Sequence, residues 1–373
     1  MKGETMIDIN SARDKALKIL SLIVYTALFT LLFVHKDLLF KSIEHSLDYS
    51  LYVLFPSLFP FMVASSLFSL SKGAALLSGA LSFFMRRVLK LPDALAPALI
   101  SAFLFGYPLG AKISAELLKE GKITEKEALR FTYCSLSPGI PFAVLFLGRL
   151  SGDIGLGLSV FLSIIISNLL LLFLTGINKE IPIKASRKYK TTSLTAGLKG
   201  SLYSSAKAML NMSLYVILMR GFIELINSFS FTHSLNSALG FIPHPFKAFL
   251  GAFFLEVTYG VENAFKIGLD PKFIAAGLSF GGVCMFLQLG SFFSDGVLKL
   301  RHLIFTRSAA AAITYFFTGI LYRANANALT VGSFVYGGIS EREGGIVTAL
   351  LITLLFLFCT VSAQKQNNEN GGN

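Results

Sequence analysis

The sequence predicts an all-α polytopic membrane protein, an inverted repeat of about eight transmembrane helices plus two re-entrant hairpins. Three observations predict it. Hydrophobic residues make up 54% of the 373 positions and charged residues only 14%, against about 25% charged in a soluble domain. That leaves too little polar surface to cover a water-facing body. Apolar runs long enough to cross a bilayer, about 20 residues each, recur along the chain. Several of these runs are interrupted by Gly, Pro or polar residues, and the interruptions come in the same order in both halves.

The elements follow in chain order. Residues 1–16 form a basic N-terminal arm, with Arg13 and Lys15, placed in the cytoplasm. Residues 17–34 form the first transmembrane helix. The run is long, and His35-Lys36-Asp37 follows it with no small-residue cleavage site, so it is retained, unlike a signal peptide. A first repeat at 51–175 holds the apolar stretches Leu51–Leu70, Leu91–Ser114, Phe131–Leu147 and Ile154–Thr175. Ala74–Phe84 is too short to cross and is assigned to the interface. Residues 176–201 form a basic cytoplasmic loop. The second repeat, 202–321, holds Leu202–Phe229, Phe246–Asn263, Phe273–Leu298 and Ser308–Leu321. A last transmembrane helix at 345–362 precedes a tail at 363–373, whose Asn- and Gly-rich composition predicts disorder.

Three pairs of segments support the duplication. Leu51-Tyr52-Val53-Leu54 recurs as Leu214-Tyr215-Val216-Ile217. Ser101-Ala102-Phe103-Leu104, with Gly110 beyond it, recurs as Gly251-Ala252-Phe253-Phe254 with Gly260. The stretch Cys134 to Pro141 has its counterpart from Gly281 to Gln288. Charge sets the orientation. The loop from Asn178 to Lys199 carries Lys179, Lys184, Arg187, Lys188, Lys190 and Lys199 against Glu180 alone, and so belongs inside. The first repeat then enters from outside and the second from inside. With Leu91–Ser114 and Phe246–Asn263 as re-entrant hairpins, Arg86, Arg87, Lys90, Lys119 to Arg130, Lys299, Arg301 and Arg307 fall inside, against Arg149 outside.

Inverted repeats with paired broken helices point to a secondary transporter. The candidate site gathers 106–112, 135–141, 256–263 and 281–288. Half-helix N-termini there offer N–H groups to a small anionic substrate, and freed carbonyls suit a coupling H+ or Na+. The candidate substrate-binding residues are Gly106, Tyr107, Pro108, Gly110, Lys112, Ser135, Ser137, Pro138, Gly139, Arg220, Thr258, Gly260, Asn263 and Gln288. Glu256, an ionisable group amid apolar residues, reads as ion-coupling or as half of a structural ion pair. Arg220 reads as a substrate ligand or as a partner of Glu224 one helical turn on. Lys112 faces the site or snorkels to the interface. Gln288 bonds an ion or satisfies a neighbouring backbone group. Tyr107 and Tyr259 stack on a flat substrate or pack helices. Replacing Pro138 and Gly139 by alanine is expected to let the helix close and to leave the protein stable.

Other classes are poorly served. The net charge of +12 reflects cytoplasmic loops and implies no nucleic acid. The three cysteines, Cys134, Cys284 and Cys359, lie in apolar runs without metal spacing. Gly277-Leu278-Ser279-Phe280-Gly281 has the letters of a nucleophile elbow without its strand-turn-helix context, so no enzyme is expected, and no cofactor. The partners expected are the lipid bilayer, the small anion and further copies of the chain in a homo-oligomer.

Gly106-Tyr107-Pro108-Leu109-Gly110-Ala111-Lys112, followed by Leu118, Gly121-Lys122-Ile123 and Glu127-Ala128, resembles the YlbJ-type sporulation integral membrane proteins. Leu255 to Gly260, Phe280-Gly281-Gly282 and Leu287-Gln288 extend the resemblance from Leu51 to Leu321. Ser135 to Gly139 after Cys134 departs from the family pattern. The resemblance implies Gate modules similar to those of concentrative nucleoside transporters. It also implies an endospore-forming bacterium and a place in its cell membrane, the outer forespore membrane during sporulation. The implied role is moving dipicolinic acid from the mother cell for spore formation, with a requirement in making the cortex. Alternatives are transport of a nucleoside or another small anion, and a non-transporting scaffold for forespore assembly.

Overall fold

A computed structural model describes residues 2–69, 72–182, 194–228, 251, 253–294 and 296–332. The last span, the tail, residues 183–193 of the basic loop and residues 246–250 of the second hairpin lie outside the described residues. Every regular element among the described residues is helical. In hydrocarbon that is the economical solution, because a helix satisfies its own backbone.

The first helix, α1 (Lys2–Val34), meets α2 (Lys36–Tyr49) at His35, the Lys18–Val34 and Lys36–Leu54 parts being bent by 80°. Residues 36–50, which the sequence reading leaves between its first span and first repeat, are thus helical. A π-helical turn, Ser50–Leu54, leads into α3 (Phe55–Ser69), and α4 (Lys72–Ala80) follows. Next come α5 (Ala96–Phe105), α6 (Leu109–Lys119) and α7 (Glu125–Cys134). A second π-helical stretch, Pro141–Phe146, runs into the short α8 (Leu147–Ser151), and α9 (Ile154–Leu174) closes the first half. The second half holds α10 (Leu194–Ser228), α11 (Val257–Lys266), α12 (Pro271–Phe280), α13 (Gly282–Gly290) and α14 (Leu300–Gly332).

Among the described residues four helical stretches are long and apolar enough to cross a bilayer, Ile154–Leu174, Gly197–Ile226, Pro271–Gly290 and Leu300–Arg323, and the bent pair of α1 and α2 makes a fifth. The sequence predicts about eight. The breaks leave Leu58–Phe68, Asp93–Phe105 and Pro141–Ser151 as shorter apolar helices. At about 1.5 Å per residue, none of these alone reaches across roughly 30 Å of hydrocarbon.

Local chemistry sets the boundaries around the breaks. Thr124 and Glu127 form a reciprocal capping box at the start of α7, with Thr124 N donating to Glu127 Oε2 at 2.8 Å. Asp270 caps α12 by accepting from Lys272 N at 2.8 Å, and Pro271 occupies the first turn, where its missing N–H costs nothing. Asp153 caps α9 by accepting from Leu156 N at 3.2 Å. From the first break onward the two halves share an order among the described residues: break, short helix, capped short helix, break, short helix, long helix.

The closing long helices, α9 and α14, pack together and run antiparallel. Tyr322 donates to Asp153 at 3.2 Å, Ser167 donates to the Ala310 carbonyl at 2.9 Å, and Asn168 accepts from Arg307 at 3.0 Å. Ser159, Ser163 and Ser167, spaced one turn apart and fully buried, line one face of α9. Small residues on such a stripe let helices approach closely. α7 and α12 approach this pair from opposite ends. At one end Tyr133 Oη accepts from the backbone N–H of Lys299, and Cys134 lies 3.8 Å from Thr175. At the other, the Lys272 ammonium sits 5.4 Å from the Tyr315 ring.

Basic residues expected in the cytoplasm gather where α9 ends and α14 begins. Arg86 donates to the Pro182 carbonyl at 2.9 Å, and Arg130 donates to the Leu89 and Lys90 carbonyls, each at 2.6 Å. Arg307 departs from this set. The sequence reading places it beside Lys299 and Arg301, but α14 already begins at Leu300, so Arg307 lies inside the helix and is wholly buried.

Candidate functional site

The two interruptions of the first half touch backbone to backbone. Gly106 and Gly139 both have positive φ, +89° and +74°. Tyr107 N donates to the Ser137 carbonyl at 2.6 Å, clamping the turn after α5 against the turn after α7. The peptide bond between Tyr107 and Pro108 is cis. In the second half Gly282, with φ +77°, brings the start of α13 so near residues 253–255 that a Cβ would lie 2.7 Å from the Phe253 carbonyl oxygen. Each half therefore pairs its own two breaks.

Between the pairs lies a buried cavity of about 20 Å³, lined by Tyr107, Pro138, Glu256, Thr258, Cys284 and Gln288, with apolar walls from Leu54, Leu58, Met212 and Val216. That is room for about one water-sized group. All four interrupted stretches contribute to it. The amide oxygen of Gln288 and the hydroxyl of Tyr107 are buried without a hydrogen-bond partner among the described residues, and buried polar groups in that state call for a ligand or water.

Glu256 dominates the polar side. It is extended (φ −146°, ψ 122°), caps α11, and accepts from the backbone N–H of Thr258 at 2.9 Å and of Tyr259 at 2.6 Å, and from the Thr258 hydroxyl. Its buried side chain therefore occupies the N-terminus of α11 that the sequence reading offers to an anionic substrate. The Arg220 Nε of α10 lies 3.8 Å from the carboxylate. Arg220 also donates to Glu262 at 3.0 Å and to the Thr258 hydroxyl at 3.1 Å, and its guanidinium stacks 4.3 Å from the Tyr49 ring centroid. The partners found for Arg220 thus come from α11 and α2. The result is a buried ion-pair chain from Glu262 through Arg220 to Glu256 that joins α10 to the start of α11.

Of the predicted residues, Tyr107, Pro138, Glu256, Thr258 and Gln288 line the cavity, and Arg220 lies behind two of them, Glu256 and Thr258. Gly106, Ser137 and Gly139 form the backbone clamp behind it. Pro108 serves as the N-cap of α6, its carbonyl accepting from Lys112 N at 3.0 Å. Others are not brought in. Lys112 donates to Ser204 on α10 and lies 3.9 Å from Glu116. Ser135 turns its hydroxyl back to the Phe131 carbonyl. Gly110 is inside α6, where a Cβ would meet Ala102, so it serves the hairpin fold of α6 against α5. Gly260 is inside α11, its N–H donating to the Glu256 carbonyl at 2.9 Å. Asn263, further along α11, is not among the lining residues.

The residue missed is Arg307. Its Nε donates to the Ser279 carbonyl at 2.9 Å. One terminal nitrogen donates to Asn168 at 3.0 Å and to the Tyr133 carbonyl at 3.4 Å. The other donates to the Leu136 carbonyl at 3.3 Å, to the Ser279 hydroxyl at 3.2 Å and again to the Ser279 carbonyl. Ser279, the central letter of the elbow-like pattern, lies within α12 and accepts from Thr314 at 2.9 Å. A signal was available: Arg307 follows the apolar stretch Leu303–Phe305 and precedes four alanines, so starting the span seven residues earlier would have enclosed it.

Comparison of the chain with protein-family models, with curated proteins and with solved structures finds no match.

Proposed function

We propose that the chain is a membrane transporter for a small anion, built as an inverted repeat of about eight spans with two re-entrant hairpins. The observation that carries this reading is the one buried cavity to which all four interrupted stretches contribute, with Glu256 on its wall. The antiparallel α9 and α14, and the entry of α7 and α12 from opposite ends, support the inversion. An ionisable pair in such a place is expensive and marks function by default.

The chemistry assigned to it is proton coupling. With Glu256 ionised, Arg220 is shared between two carboxylates and its charge is spent within the protein. Protonation of Glu256 leaves Arg220 with Glu262 alone, takes the trio from a net charge of −1 to neutral, and removes the negative charge that would repel an anion from the cavity. The cavity must widen well beyond its present volume to admit a ring with two carboxylates, so substrate entry is linked to movement of α11 relative to α10. The resemblance noted above makes dipicolinate the substrate of choice, moved across the outer forespore membrane of a sporulating bacterium. Flux of labelled dipicolinate into liposomes carrying the purified chain tests this. Movement of a nucleoside or another anion in its place would shift the substrate, and no flux of any of them would favour the scaffold.

A further inference from the structure

Arg307 carries an inference beyond the site. It is fully buried, and no ion pair is recorded for it among the described residues. A buried charge is tolerated only when something compensates it. Here the partners are neutral oxygens: the carbonyls of Tyr133 and Leu136 at the end of α7, the carbonyl and hydroxyl of Ser279 in the last turn of α12, and the Asn168 amide. Each helix C-terminus carries roughly half a negative charge, and two of them offset about one positive charge. The ends of two broken helices, one from each half, therefore converge on a single guanidinium.

Freed carbonyls at the C-terminal ends of broken helices are where a transporter binds its coupling metal cation. We propose that Arg307 is a tethered replacement for that cation: it fills the carbonyl site permanently, makes the protein indifferent to Na+ there, and leaves coupling to the proton on Glu256. The part of this that concerns coupling rests on the transport reading; the occupancy of the carbonyl site does not.

The test is thermal unfolding of the purified full chain in detergent, with NaCl or choline chloride at equal ionic strength. The parent should melt at the same temperature in both. Arg307→Ala uncovers five neutral oxygens, a set suited to Na+. It should melt lower than the parent in choline and gain a saturable rise of roughly 2–4 °C in NaCl. Adding Asn168→Ala should reduce that rise. Arg307→Lys, which keeps the charge, should stay insensitive to the cation. A Na+-specific rise in the parent, or none in a folded Arg307→Ala, overturns the proposal. If Arg307→Ala is recovered only when purified in NaCl, the proposal is supported; if it is lost in both salts, the proposal fails. Flux of the parent with Na+ replaced by choline is read separately. Equal flux supports Na+-independent coupling, a loss of flux in choline overturns it, and an absence of flux in both salts counts against the transport reading while the melting result still decides Arg307.

Discussion

A methyl group on Gly139 would sit 2.5 Å from the backbone nitrogen of Gly106, and one on Gly106 would sit 2.5 Å from the Pro138 carbonyl oxygen. The two turns are held in direct backbone contact, with no side chain between them. The sequence reading treats the glycine here as a device for keeping a helix open, so that alanine would close it. The geometry gives it another task, which is to let two breaks touch.

Gly139→Ala should therefore destabilise the protein. The left-handed backbone alone costs about 1–2 kcal/mol for a residue with a Cβ, and the clash adds overpacking of roughly 1–3 kcal/mol. Gly200→Ala is the control, since nothing lies within 4 Å of its would-be Cβ on α10 and helix propensity favours it by about 1 kcal/mol. Melting in detergent should move down for the first and up or not at all for the second.

Glu256→Gln keeps an acceptor for the N–H groups of α11 but removes the charge beside Arg220. The chain should insert and accumulate normally, lose no more than about 1–2 kcal/mol of stability, and lose most dipicolinate flux together with its pH dependence. Normal flux with normal pH dependence would take Glu256 out of the mechanism.

Lys112→Met separates the sequence reading from the structure. Lys112 reaches Ser204 and Glu116 and does not line the cavity, so substrate affinity should stay within about twofold of the parent. A tenfold loss, equivalent to about 1.4 kcal/mol, would return Lys112 to the site.

Arg220 and Glu262 should be coupled. In a double-mutant cycle of Arg220→Met and Glu262→Gln, read by melting, the interaction energy should be about 1–3 kcal/mol, because a guanidinium 4% exposed loses a direct partner. Additive effects would show that Glu256 alone balances the arginine.

Topology is tested with single cysteines in a background lacking the native three. Lys122, in the turn between α6 and α7, and Asp270, in the turn between α11 and α12, are both exposed, and the proposed inverted repeat makes them equivalents. They should label from opposite faces, as should Ser186 and Ser333. Labelling from one face would remove the inversion while leaving the paired breaks intact.

The sequence by itself determined the class and the places of interruption. Apolar run length reports the solvent directly, because each residue contributes its transfer energy wherever it packs. Proline, glycine and a lone Glu256 stand out in the sequence because they are costly in any continuous apolar helix. Only the tertiary structure decided where helices begin and what the broken ends meet. Gly110 and Gly260 share a sequence motif with the true breaks, yet neighbouring turns keep them helical. Glu256 proved to cap its own helix, since whether a carboxylate turns back to N–H groups two and three residues on depends on its extended backbone. Arg307 looked like a loop cation because its partners are carbonyl oxygens, which every residue possesses. No composition or spacing marks them until α7, α9 and α12 bring them to one point.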